Sequence, residues 1–199
     1  MKNFRFILLL LGSLTILAGC QKSIIYKVNA VGPNDSKVVL TEFADLQCPA
    51  CAQLTPIIKE IVSKHPEIRY EYKHYPLSYH EFSFKAAEAA ECAGDQGKFW
   101  EFIEKIFESQ ETWEQSKNPD AIFQRIAREQ GMDLQKLGAC VEDPRVKEEA
   151  LREREEGRGL GIQETPTFFV NGNKIDGVPA MKVKMDSYFK KKISQKKEK

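Results

Sequence analysis

Residues 43–62 read FADLQCPACAQLTPIIKEIV, and Cys48 and Cys51 within that stretch are separated by two residues. Just upstream, Val38-Val39-Leu40-Thr41-Glu42-Phe43 is apolar on both faces, as a buried central strand requires. Downstream, Leu54, Ile57, Ile58, Ile61 and Val62 recur at helical spacing and define one apolar face, which Pro66 ends. Ile68, Tyr70 and Tyr72 then alternate with Arg69, Glu71 and Lys73, a strand pattern. Strand, helix and strand in this order predict a βαβ unit with parallel strands. The two cysteines stand where its first strand meets its helix, with Pro49 at the first helical position.

Three chemistries use a C-x-x-C pair. A zinc site needs four ligands drawn from closely spaced pairs. The chain offers no second C-x-x-C and no H-x₃₋₅-H; His74 and His80 are six apart and His65 stands alone. A purely structural disulfide here closes a tiny loop and restricts the unfolded chain little. Redox chemistry fits the position. A sulfur at a helix N-terminus meets unpaired amides and the positive end of the macrodipole, which favour the thiolate. Cys48 is therefore expected to attack or be attacked, forming the mixed disulfide. Cys51, one turn further in and more covered, is expected to resolve it. A C-x-x-C beside a βαβ pattern is a thioredoxin-like signature.

Beyond the βαβ unit the middle of the chain reads as helical. Ser83 to Ala93 is rich in Ala and Glu, Gly94-Asp95-Gln96-Gly97 breaks it, and Phe99, Phe102, Ile103, Ile106 and Phe107 form the next apolar stripe. Asn118-Pro119 and Asp143-Pro144 read as helix starts and Gly131 as a stop. The mixed charges from Lys147 to Arg158, with Glu148 and Arg152 four apart, predict a solvated helix face. Strand patterning returns in Thr167-Phe168-Phe169-Val170 and Lys174-Ile175-Asp176, joined by Asn171-Gly172, a type I′ hairpin signal. Pro179 opens a last helix with Met181, Met185, Tyr188 and Phe189 on one face, followed by a lysine-rich tail. That tail is read as solvated, with attraction to anionic lipid as the alternative.

The 30 Lys plus Arg against 29 Asp plus Glu argue against a general nucleic-acid binder. No phosphate-binding glycine loop follows a strand-like run. At the start, Lys2 and Arg5 precede the short apolar run Phe6 to Ala18, which reads as a secretory signal. The run ends in Leu17-Ala18-Gly19-Cys20, similar to the lipobox of bacterial lipoproteins. That resemblance implies cleavage before Cys20 and lipid on Cys20. Residues 21–36 read as a tether and a short edge strand over Ile24 to Val28, followed by the turn-like Gly32-Pro33-Asn34-Asp35. An export signal places the other four cysteines, Cys48, Cys51, Cys92 and Cys140, in an oxidising compartment. For Cys92 and Cys140 two readings stand: two free buried thiols, or a second disulfide closing a long loop.

VVLTEFADLQCPAC resembles the DsbA-like branch of the thioredoxin-fold proteins, and ETPTFFVNG, KHYPL (73–77) and QGKFWEF (96–102) extend the likeness over nearly all the chain after the tether. The resemblance implies an α/β thioredoxin-like fold with a helical insertion between the βαβ unit and the C-terminal hairpin plus helix. Its parts are a signal peptide at 1–19, tether and edge strand at 20–36, N-terminal fold part at 37–80, insertion at 81–158, and C-terminal fold part with basic tail at 159–199. The implied activity is thiol–disulfide exchange that forms disulfides in cysteine-bearing exported proteins, with no cofactor beyond the dithiol and a redox partner that recycles it; a reductase or isomerase of the same fold is the alternative, and a non-catalytic interaction lipoprotein the more distant one. Glu42, six before Cys48, takes the place of a buried acid that relays a proton for the resolving cysteine. Asp45 reads as a loop residue shaping the helix entry, and Pro56 matches the proline inside the family's helix. Thr165-Pro166 matches a cis-proline loop that faces the cysteines and aligns substrate. Between Pro49 and Cys51 stands Ala50 rather than the histidine of strongly oxidising relatives. Alanine carries no charge and no donor, so a weaker oxidant is expected.

Overall fold

The computed structural model describes residues 28–175 and Gly177. The signal segment, Cys20, most of the tether, the helix expected from Pro179 and the basic tail lie outside the described residues. Strands β1 (Asn29–Val31), β2 (Val39–Ala44), β3 (Arg69–His74), β4 (Thr167–Val170) and β5 (Asn173–Ile175) form one sheet in the order β1-β3-β2-β4-β5. Helix α1 (Pro49–Lys64) connects β2 to β3, which pair in parallel as the βαβ pattern requires. The other neighbours are antiparallel. Between β3 and β4 come α2 (Ser83–Asp95), α3 (Phe99–Glu108), α4 (Gln110–Glu114), α5 (Pro119–Glu129), α6 (Leu134–Val141) and α7 (Pro144–Gly159), the expected helical insertion.

The central strand explains its two-sided apolar sequence. Leu40 and Ala44 join the main core with Ile58, Tyr70, Tyr72, Phe102, Ile106, Trp113, Phe168 and Val170. Phe43 faces the other way, into a smaller cluster with Tyr75, Leu77, Ile162 and Phe169. Helix α7 packs close to this second cluster because Gly157 has no side chain. A Cβ there would stand 2.6 Å from the Tyr75 ring. The β4–β5 turn is the expected two-residue hairpin: Asn171 and Gly172 both take positive φ, at 48° and 75°, and Val170 pairs with Asn173. Asn118 and Asp143 cap α5 and α7 as their sequence predicts, and Asp133 caps α6.

An edge strand stands at Asn29–Val31, inside the 20–36 segment expected to carry one, and Ile24 to Lys27 lie outside the described residues. Val28 is exposed, whereas Asn29 is buried and its side-chain amide donates to Glu91. A polar residue satisfied inside the protein is invisible to hydropathy. Two readings need correction. The charged run of α7 is not wholly solvated. Glu153 is buried and accepts a hydrogen bond from the His74 amide at 2.6 Å, while Arg152 pairs with Glu149 outside. Asp45 does more than shape a loop, as its partners below make plain.

Candidate active site

Cys48 is the N-cap of α1, with extended backbone (φ −83°, ψ 119°), and Pro49 follows at the first helical position. Strand β2 ends just before it, and Asp45 fixes the connection. The Asp45 carboxylate is buried and accepts from the Gln47 amide at 2.7 Å, the Leu77 amide at 2.8 Å and the Ser83 hydroxyl at 2.5 Å, and contacts His80 Nδ1 at 2.8 Å. The Gln47 side chain accepts from the Phe82 amide. These bonds tie the β2–α1 junction to the 77–83 segment, so the cysteine loop is anchored on a rigid frame. The alternation pattern offered no sign of this, because Asp45 lies between two regular elements.

The two thiols are unequal. Cys48 retains 6% exposure and Cys51 none, and both are free thiols. The Cys48 thiol is lowered from 9.0 to about 6. The largest cause is the hydrogen bond from the Cys51 thiol; burial opposes it, and Thr165 and the amides of Cys51 and Ala50 assist. The helix N-terminus therefore contributes as expected, but the neighbouring thiol contributes more. Burial pushes Cys51 well above its ordinary value, with the charges of Cys48 and Glu42 adding to the rise. At neutral pH the pair thus holds one thiolate on Cys48 and one proton on Cys51.

Glu42 lies on β2 opposite Tyr72 of β3 and Phe168 of β4. It is 3% exposed, so it is no surface glutamate. Burial raises its carboxyl from 4.5 to about 7; a hydrogen bond from the Tyr70 hydroxyl opposes the rise, and the charge of Cys48 adds to it. Thr165-Pro166 is a cis peptide. The Cys48 Sγ lies 3.3 Å from the Thr165 carbonyl oxygen, to which it donates while protonated, so this loop stands against that sulfur. The buried Thr165 hydroxyl adds to the lowering of Cys48 by hydrogen bonding, and it has no other partner among the described residues. Ala50 is exposed on the first turn of α1, and Pro56 lies inside that helix. Structure thus brings Cys48, Cys51, Glu42, Pro49, Ala50, Thr165 and Pro166 together. Cys92 and Cys140 are bonded to each other away from them, joining α2 to α6.

Sequence reasoning missed Tyr70, the only hydrogen-bond donor to Glu42 among the described residues. The strand alternation marked it as inward-facing; the parallel register that sets it beside β2 was needed to pair it with the acid. It also missed the buried group of His74, Glu91 and Glu153, in which His74 Nε2 lies 3.1 Å from Glu91 Oε1.

Residues 27–186 match the family model described as thioredoxin. The chain belongs to the thioredoxin family. It is 32% identical over 147 residues to Na(+)/H(+) antiporter NhaA 3 of Salinispora tropica, a match covering 73% of this chain and 22% of that protein. The chain therefore spans about a fifth of the length of the curated relatives it matches. A thioredoxin-like oxidoreductase from Silicibacter pomeroyi DSS-3 superposes with a TM-score of 0.70 at 26% identity, covering 83% of this chain and 92% of that one. Alpha-DsbA1 of Wolbachia pipientis superposes at 0.69 with 23% identity, covering 83% and 91%. The expected DsbA-like thioredoxin fold, with its helical insertion, is the fold observed.

Proposed function

We propose that this thioredoxin-family chain is an extracytoplasmic thiol–disulfide oxidoreductase that exchanges disulfides with exported proteins through Cys48-Pro49-Ala50-Cys51. The observation that carries the reading is the opposed acidity of the two thiols, Cys48 lowered to about 6 and Cys51 raised. A pair built only as a staple needs no such asymmetry, whereas exchange requires one nucleophilic sulfur and one held in reserve. In the oxidising direction a substrate thiolate attacks Cys48 Sγ of the Cys48–Cys51 disulfide. The Cys51 sulfur leaves with the electron pair and takes a proton from Glu42. A second substrate thiolate then attacks the substrate sulfur of the mixed disulfide and releases Cys48 as thiolate. The reverse sequence reduces a substrate disulfide. The Thr165-Pro166 loop aligns the substrate strand beside Cys48.

Direction follows from how strongly the thiolate is stabilised. Thiolate acidities of about 7 in thioredoxin and about 3.5 in DsbA accompany potentials of about −270 and about −120 mV. Cys48, at about 6 and beside Ala50, stands nearer the thioredoxin end. A moderately oxidising protein, able to serve as reductase or isomerase when fed electrons, fits this better than a strong oxidase. A redox partner in the envelope recycles the dithiol.

The chain is further proposed to be exported and held at a membrane by lipid on Cys20. Among the described residues no helix is long and apolar enough to cross a membrane. Detergent phase partitioning of the parent and of Cys20→Ala tests the anchor: the variant should move to the aqueous phase, and its retention with the membrane would remove the lipid from the account. Insulin reduction and oxidative refolding of reduced ribonuclease test the activity. Turnover lost in Cys48→Ala supports the reading, and a parent protein inert in both assays overturns it.

A further inference from the structure

The buried acid of this site has an unusual partner. Among the described residues no lysine, arginine or histidine pairs with Glu42, and its one hydrogen bond comes from Tyr70. The titratable groups facing it are Tyr70 and Tyr72 from β3, Cys48 at the N-cap of α1 and Cys51 in its first turn; β4 contributes Phe168. Tyr70 is well placed to hold a fixed geometry. It lies on β3 paired with Leu40, its ring packs against Trp100 at 5.4 Å, and it is 7% exposed. Tyr72, two residues on, is equally buried among Phe99, Trp100 and His74, yet its hydroxyl has no hydrogen-bond partner among the described residues. The two tyrosines are thus alike in ring packing and unlike in what their hydroxyls do.

We infer that Tyr70 is a positioning residue for proton transfer: its hydroxyl holds the Glu42 carboxylate ionised and oriented for exchange with Cys51. This rests on the exchange reading of the site. When Cys51 attacks Cys48 Sγ of a mixed disulfide, a Cys51–Cys48 bond forms and the Cys48–substrate bond breaks. The substrate sulfur leaves with the electron pair, and the Cys51 proton goes to Glu42. The base must be unprotonated at that moment. A buried carboxylate without a cation nearby binds its proton too tightly to serve near neutral pH, and a hydrogen bond to its charged form offsets part of that effect. A hydroxyl does this without adding a positive charge that would also act on Cys51.

The test compares Tyr70→Phe with Tyr72→Phe, two changes that remove one oxygen each from neighbouring buried rings. Carbon-13 NMR titration of the Glu42 carboxyl in the reduced protein reads the inference without reference to activity. The wild-type midpoint near 7 should rise by about one pH unit in Tyr70→Phe, the order expected for a hydrogen bond to a charged group, and stay in place in Tyr72→Phe. The rate at which Cys51 releases a mixed disulfide on Cys48 should show the same upward displacement of its pH profile in Tyr70→Phe. That displacement should vanish in a Glu42→Gln background. An unmoved Glu42 midpoint in Tyr70→Phe, or an equal movement in Tyr72→Phe, overturns the assignment. A midpoint that moves as expected in a protein that forms no mixed disulfide upholds the Tyr70–Glu42 link and overturns the exchange reading instead.

Discussion

Glu42→Gln should make the reduced protein more stable, and increasingly so as pH rises. Burial lifts the carboxyl from 4.5 to about 7 in the folded state. Between those values the unfolded chain has lost this proton and the folded chain keeps it, so unfolding releases a proton and stability falls with increasing pH. The loss begins above the unfolded value and is complete above the folded one. Each pH unit corresponds to about 1.4 kcal/mol, so the full penalty is about 3 kcal/mol. Glutamine keeps the shape and accepts from Tyr70 through its carbonyl, and it does not titrate. Urea unfolding of reduced wild type and Glu42→Gln at intervals from pH 4.5 to 8.5 measures the difference directly. The two curves should differ by a constant near pH 4.5 and diverge by about 3 kcal/mol by pH 8. A difference that is flat across the range would mean that Glu42 titrates like an exposed carboxylate, and the proton-relay role would fall with it. The same variant should release mixed disulfides more slowly, so stability and turnover should move in opposite directions.

Thr165→Val removes a hydroxyl that assists the Cys48 thiolate, so the Cys48 titration should move above about 6 and the reduction potential should fall; thiolate absorbance and a glutathione equilibrium read the two effects. Ala50→His adds a group able to stabilise the thiolate, so the potential should rise by about 30 mV or more, equivalent to about 1.4 kcal/mol for a two-electron couple; an unchanged potential would show that Thr165 and Cys51 set the poise alone. Replacing Cys92 and Cys140 together by alanine opens a bond spanning 48 residues, so stability to urea should drop by about 2–4 kcal/mol while the Cys48 titration stays in place.

What could be read from the amino acids was what periodicity and local chemistry encode. The βαβ unit showed itself because Leu40, Ile58 and Tyr70 belong to three segments with distinct apolar periods that converge on one core. The Asn171-Gly172 turn and the caps Asn118 and Asp143 were legible because few residue types suit those backbone positions. The candidate pair was legible because a helix start and a C-x-x-C coincide. Partnerships between distant segments were not. Asp45 with Leu77 and Ser83, Asn29 with Glu91, and Glu153 with the His74 amide each join residues 32 to 79 positions apart. A polar residue that will be satisfied in the interior looks in sequence like one that will face water. The partner of Glu42 was hidden for the same reason: Tyr70 was marked as core by its spacing, and only the β2–β3 register brings its hydroxyl to the acid. Cys92 and Cys140 remained ambiguous until α2 and α6 were seen to pack side by side.

The central claim is that one sulfur attacks and the other waits. The most direct test is the pH dependence of alkylation of the reduced wild-type protein, with each modified cysteine identified by mass spectrometry. Wild type is used because the Cys51 thiol is itself the main support of the Cys48 thiolate, and a single-cysteine variant would change what is being measured. Cys48 should reach half its maximal rate near pH 6, and Cys51 should remain unmodified until the solution is strongly alkaline. Modification of Cys51 first, or of both cysteines together near pH 9, would contradict the account.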